Sequence, residues 1–157
     1  MHPEILDGRR LQCLHTLLSL PELEPFYLAG GTALSLQLGL RQSMDFDFFT
    51  AQRFNADAVF ASISGRFEEC RLIHLDRDTC DLVADGIQLS FMRYPYPMLN
   101  ALVTGEGDFA RLRMAGTDDI AAMKLSAIGS GGSRKDFFIE EQARLFDLYE
   151  QMYRNPS

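Results

Sequence analysis

Leu28-Ala29-Gly30-Gly31-Thr32 and, after thirteen residues that follow Gly31, Asp45-Phe46-Asp47-Phe48-Phe49-Thr50 bound the stretch whose reading decides the fold of this chain. Phe26 to Ala29 is a short apolar run of strand type, and the glycine pair breaks it. Thr32 is a residue type that caps helices, so a helix is predicted from there through Leu40. Met44 to Thr50 alternates Asp with Phe, the period of a second strand. Residues i and i+2 of a strand share a face, which sets the carboxylates of Asp45 and Asp47 side by side. Two like charges at that spacing raise one pKa, and a divalent cation removes the conflict. Carboxylate oxygens are hard ligands and suit Mg²⁺. Taken alone, the pair reads equally well as the solvated side of a half-exposed strand. Gly30-Gly31 lets a phosphate approach the backbone where the N–H groups of a helix start face an anion, although a lone glycine pair is also an ordinary tight turn. In combination, one turn can hold phosphates while the next strand holds the metal.

Outward from this stretch, 157 residues with 46% hydrophobic and 24% charged content predict a single globular domain with a real core. That core is expected over about residues 9–128, followed by a C-terminal helix over about 134–153. A helix is predicted over residues 9–18 and another over 55–65 with Asn55 as its N-cap. Strands follow at Arg71–Leu75, Cys80–Ala84 and Ile87–Arg93, the last two joined by the hairpin signal Asp85-Gly86. Ala110–Met114 reads as one more short strand, and Thr117 as the cap of a helix through Ile128. The fold class is α+β, a small mixed sheet with helices packed mainly on one side.

No apolar run nears the roughly 20 residues that span a bilayer, and Met1-His2-Pro3-Glu4 does not open a signal peptide. Cys13, Cys70 and Cys80 lack metal-site spacing and read as reduced thiols, so a cytoplasmic protein without membrane attachment is expected. A net charge of −7 argues against a constitutive DNA-binding module and leaves room for transient contact with RNA.

Lys124 is the polar exception, with Ser126, in a helical segment that is otherwise apolar or small from Ile120 to Ile128. A buried ammonium needs a partner, for which a triphosphate or Asp136 would serve, or else it snorkels to water. Arg134-Lys135-Asp136 after the Gly/Ser loop at 129–133 reads equally as a solvated helix start. His15 is read as a packed core histidine. Tyr94-Pro95-Tyr96-Pro97 reads first as strand-end structure, with a platform for stacking a base as the alternative.

Ala29-Gly30-Gly31, the thirteen-residue spacer and Asp45-Phe46-Asp47-Phe48 resemble the signature of the DNA polymerase β-like nucleotidyltransferase superfamily. From about residue 26 to 138, including Ile87–Pro97 and Asp119–Asp136, the chain resembles the AbiEii-type (abortive-infection toxin) nucleotidyltransferase family. The resemblance implies a nucleotidyltransferase fold and Mg²⁺-dependent transfer, with Mn²⁺ as a substitute, from a nucleoside triphosphate to a macromolecular acceptor, tRNA or other RNA or a protein. It implies a toxin with a cognate antitoxin as partner. Asp45 and Asp47 would hold the metal, and Gly30, Gly31, Thr32 and Ser43 the phosphates. Lys124 and Asp136 fall on the family's active-site lysine and aspartate. Relatives also carry a third carboxylate on a later strand, where Ile87–Phe91 offers Gln88 and Ser90; either Asp136 or Asp81 completes the set, or the metal is held more weakly. Where relatives carry a final aspartate, Ile139 stands here, with Glu140 one step on. Those departures keep open a second reading, a nucleotide-binding or interaction module that has lost its chemistry. Modification of a small molecule such as an aminoglycoside is a third.

Overall fold

The computed structural model describes residues 1–40 and 45–129. The chain divides into two compact units, Met1–Ile120 and Ala121–Ser157. Among the described residues, the first holds the helices α1 (Gly8–Leu18), α2 (Gly30–Leu38) and α3 (Ala56–Ser64). Its strands are β1 (Tyr27–Ala29), β2 (Phe46–Thr50), β3 (Cys70–Leu75), β4 (Thr79–Ala84), β5 (Ile87–Arg93), β6 (Val103–Thr104) and β7 (Arg113–Met114). A fourth helix, α4 (Thr117–Gly129), begins in the first unit and ends in the second. The helix expected over 134–153 lies outside the described residues.

Among the described residues the strands form one mixed sheet in the order β3-β4-β5-β2-β1-β7-β6. Its centre is β2, antiparallel to β1 and parallel to β5. The residues of β2 explain that place. Phe46, Phe48 and Thr50 are buried, while Asp47 and Phe49 between them are half-buried, so one face is apolar and the other mixed. Phe48 lies opposite Phe91 in register, and their rings stack at 5.3 Å with planes 5° apart. Phe26 meets Phe91 edge-on at 5.5 Å. Leu28, Leu82 and Leu89 are fully buried in the same core, and α3 lies against β3 and β4 through Val59 and Ile63.

Local chemistry sets the connections. Asn55 caps α3 by accepting a hydrogen bond from the Ala58 N–H at 3.0 Å, as its sequence position predicts. Asp85 and Gly86 both take positive φ, 46° and 80°, the geometry of a type I′ hairpin between β4 and β5. The helix after the glycine pair begins earlier than expected. Its N-cap is Ala29 rather than Thr32, and no side chain caps it. Thr32 instead sits within the first turn, where its hydroxyl has another use. The strand expected at Ala110–Met114 is confined to Arg113–Met114, preceded by a 3₁₀ turn at Gly107–Phe109. β6 was not expected, because two residues carry no detectable period. His15 is exposed and stacks on Phe109 at 4.7 Å; it is not a core residue. No helix among the described residues is long and apolar enough to cross a membrane.

Three outcomes test this packing. Phe91→Ala removes the ring shared by Phe26 and Phe48, and urea titration should register a loss of about 3–5 kcal/mol. Burial pushes the Cys13 and Cys80 thiols up to about 12, and Cys70 upward from its ordinary value. In the native protein at pH 8, Cys70, the more accessible thiol, should therefore alkylate first, with Cys13 and Cys80 protected until unfolding. The neutral thiols favour the folded state below about pH 9, so stability should fall as pH rises from there towards 12.

Candidate active site

The turn between β1 and α2 is made by a glycine in the left-handed region, Gly30 at φ 68°. Its Cα faces the carboxylate of Asp47: a Cβ built on residue 30 would stand 2.7 Å from Asp47 Oδ2. Glycine is needed twice over here, for the dihedral and for the approach. The antiparallel register accounts for the proximity, since Ala29 lies directly opposite Asp47. Thr32, only 1% exposed, donates its hydroxyl to the backbone carbonyl of Asp45. That bond ties the first turn of α2 to the residue that precedes β2. The start of a nine-residue helix without a side-chain cap thus lies beside the half-buried Asp47 carboxylate and the backbone of the exposed Asp45.

Directly opposed residues project to one side of a sheet, and the row through Asp47 runs Ala29, Asp47, Ser90, Asp81. Ser90 and Asp81 are each 2% exposed. Ser90 therefore occupies the position beside Asp47 where a third carboxylate is looked for. Asp81 is one strand further, roughly 10 Å from Asp47 between backbones at ordinary strand spacing. Among the described residues no three His, Cys, Asp or Glu side chains gather into a metal-holding group. Asp45 and Asp47 are hard oxygen donors, the ligand type that a divalent cation such as Mg²⁺ takes alongside water and phosphate oxygens.

Gly30, Thr32, Asp45 and Asp47 are thus brought together. Lys124 is half-buried on the part of α4 that belongs to the second unit. Its helix is less buried than the sequence predicts: Leu125 is 66% exposed and Ser126 and Ala127 are exposed too. Burial therefore does not argue for Lys124, and its assignment rests on resemblance. Ser43 and Asp136 lie outside the described residues.

On the same sheet face, one row along from Asp47, Tyr27 lies opposite Phe49 and Phe49 opposite Met92. Tyr27 is 6% exposed, its hydroxyl meets Met98 Sδ at 3.5 Å, and burial pushes its pKa up to about 12. The loop after β5 is fastened at its far end by Asp119, 3% exposed, which accepts the backbone N–H groups of Leu99 at 2.6 Å and Asn100 at 3.1 Å. Asp119 gave no signal in the sequence, because an acidic residue in the first turn of a helix has an ordinary use there.

A mixed sheet with a glycine turn against a strand-borne carboxylate is the architecture of a nucleotidyltransferase fold. The chain resembles in three dimensions the crystal structure of ANT(2″)-Ia in complex with adenylyl-2″-tobramycin, with a TM-score of 0.57 over 88% of this chain and 87% of that one. At 14% identity that likeness is one of fold. The chain belongs to the family of nucleotidyl transferase AbiEii toxins of type IV toxin–antitoxin systems, whose model matches residues 13–115. It is also 38% identical over 135 residues to uncharacterized protein aq_aa25 of Aquifex aeolicus (strain VF5). That match covers 85% of this chain and 64% of the relative, so the chain spans less than two thirds of the relative's length.

The Gly30 geometry has a measurable consequence. Gly30→Ala should cost at least about 1–2 kcal/mol in urea titration from the left-handed backbone alone, with displacement of Asp47 adding to it. Gly8→Ala at the start of α1, where a Cβ meets nothing within 4 Å, should be neutral or slightly stabilising in the same assay.

Proposed function

We propose that this chain transfers a nucleotide from a nucleoside triphosphate to a macromolecular acceptor, an RNA such as tRNA or a protein, as the toxin of a cytoplasmic toxin–antitoxin pair. The observation that carries the reading is the seating of Gly30 against the Asp47 carboxylate, which sets a phosphate-type turn beside a metal-type ligand. Family membership supports it, and the neighbour of similar fold holds an adenylylated acceptor. The cognate antitoxin is the expected protein partner.

In this reading the backbone at Gly30, Gly31 and Thr32, with Ser43, receives the β- and γ-phosphates at the start of α2. Asp45 and Asp47 hold the divalent cation, Mg²⁺ with Mn²⁺ as substitute. Bound there, it would supply charge neutralisation for the triphosphate and a lowered pKa for the acceptor hydroxyl. The acceptor oxygen attacks the α-phosphorus, the bond from that phosphorus to the bridging oxygen breaks, and pyrophosphate leaves. Asp136 takes the acceptor proton or serves as a further ligand, and Lys124 offsets the negative charge that develops on the phosphates. Most of the rate advantage is positioning and electrostatics, as for phosphoryl transfer generally.

Ser90, buried beside Asp47 where a carboxylate would strengthen the metal site, favours one second reading, a module that binds the triphosphate without transferring it. Label transfer separates the two. Purified protein is mixed with Mg²⁺ or Mn²⁺, each of four α-labelled triphosphates, and total cellular RNA and protein. We expect label in one macromolecular band and at least a hundredfold loss with Asp47→Asn, the scale on which removal of one transition-state-stabilising group acts. Triphosphate binding with no label in any band would replace the transferase by the binding module.

A further inference from the structure

We infer that the exposed ring of Tyr96 seats the nucleobase of the triphosphate, an assignment that rests on the nucleotide-transfer reading above. Four aromatic rings lead away from the row next to Asp47. Tyr27 and Phe49 stack at 6.2 Å, Tyr94 meets Phe49 edge-on at 6.1 Å, and Tyr96 meets Tyr94 at 5.0 Å. Accessibility rises along that line. Tyr27 is buried, Phe49 and Tyr94 are half-buried, and Tyr96 is 63% exposed. A strand-end packing role accounts for the first three. It does not account for Tyr96, which leaves most of a large ring in water.

The loop that carries this ring is fastened. Tyr94 N–H donates to the Thr50 carbonyl at 2.8 Å, and the Asp119 carboxylate holds Leu99 and Asn100. Pro95 and Pro97 fix φ on either side of Tyr96. A ring presented on a loop already ordered at both ends loses little freedom when a flat partner covers it, so the stacking energy appears as affinity. Phe49 lies two residues from Asp47 on the same face, about 7 Å along a strand, and Tyr94 and Tyr96 carry the line outward in further steps of 6.1 and 5.0 Å between ring centroids. With the phosphates at Gly30 and Asp47, this aromatic line leads from the phosphate end to the exposed ring. Stacking tolerates any base, so the ring supplies affinity and little discrimination.

The test uses the full chain with Mg²⁺ in equilibrium titrations of ATP, GTP, CTP, UTP and inorganic tripolyphosphate, with a single-stranded RNA 12-mer titrated alongside. Tyr96→Ala should weaken the nucleoside triphosphates about tenfold and leave tripolyphosphate within twofold, because the latter has no base to stack. Tyr96→Phe should restore wild-type affinity. The chain has no tryptophan, so Tyr96→Trp introduces a single reporter. Its emission should be quenched by the triphosphates and not by tripolyphosphate. Equal affinities in wild type and Tyr96→Ala, or parallel losses for both kinds of probe, would overturn the inference while leaving the transfer reading intact. Wild-type protein that binds neither probe removes the transfer reading and this one with it. A loss confined to a single-stranded RNA 12-mer would move the ring to the acceptor and overturn its assignment to the triphosphate.

Discussion

The contact between the Gly30 backbone and the Asp47 carboxylate constrains everything around it. For the two to touch, β1 must end where β2 begins its buried run, in antiparallel register, with a left-handed residue at the join. The same register sets Leu28 opposite Phe48 and so aligns the core on one face with the candidate chemistry on the other. The bond from the Thr32 hydroxyl to the Asp45 carbonyl closes the arrangement from the helix side. Helix start and carboxylate strand are thereby held as one piece, and neither can shift without straining the other.

The sheet extends this piece outward by ordinary rules of pairing. Parallel pairing of β5 with β2 carries Phe91 onto Phe48 and, on the reverse side, Ser90 next to Asp47. Antiparallel β4, delivered by the Asp85-Gly86 turn, adds Cys80 and Leu82 to the core and Asp81 to the polar row. A carboxylate 2% exposed in that row is costly to bury, and proteins keep such groups where polar neighbours or function compensate. The polar row is thus as much a product of strand register as the core is.

Much of this was legible in the residues themselves. The Asp/Phe alternation of β2, the Asn55 cap and the Asp-Gly hairpin each carry a local physical signal; the cap and the hairpin are found where the sequence puts them, while β2 starts at Phe46 and leaves Asp45 just before the strand. The glycine pair announced a special turn, but which glycine touches what is a matter of register between strands, which a single sequence does not encode locally. Thr32 looked like a cap because its residue type caps helices; the register gave its hydroxyl a carbonyl on another strand instead. The described part of the helix that carries Lys124 is less buried than its apolar composition predicts, with Leu125 exposed. Tyr94 and Tyr96 looked equivalent in sequence, yet tertiary packing separates them, one against Phe49 and the other outward.

The alternation along β2 has one more implication. Phe46 and Phe48 contribute to folding, while Asp47, between them, belongs to the candidate site and faces away from that core. Stability and chemistry are interleaved in sequence but separated in space by the thickness of a sheet. Such a strand can drift on one side without harm to the other. A lineage could lose its carboxylates and keep a sound scaffold, or rebuild its core and keep its site. Inheritance of the shape and inheritance of the reaction are therefore independent matters in a protein built this way, and each member must be judged by the face that carries its polar residues.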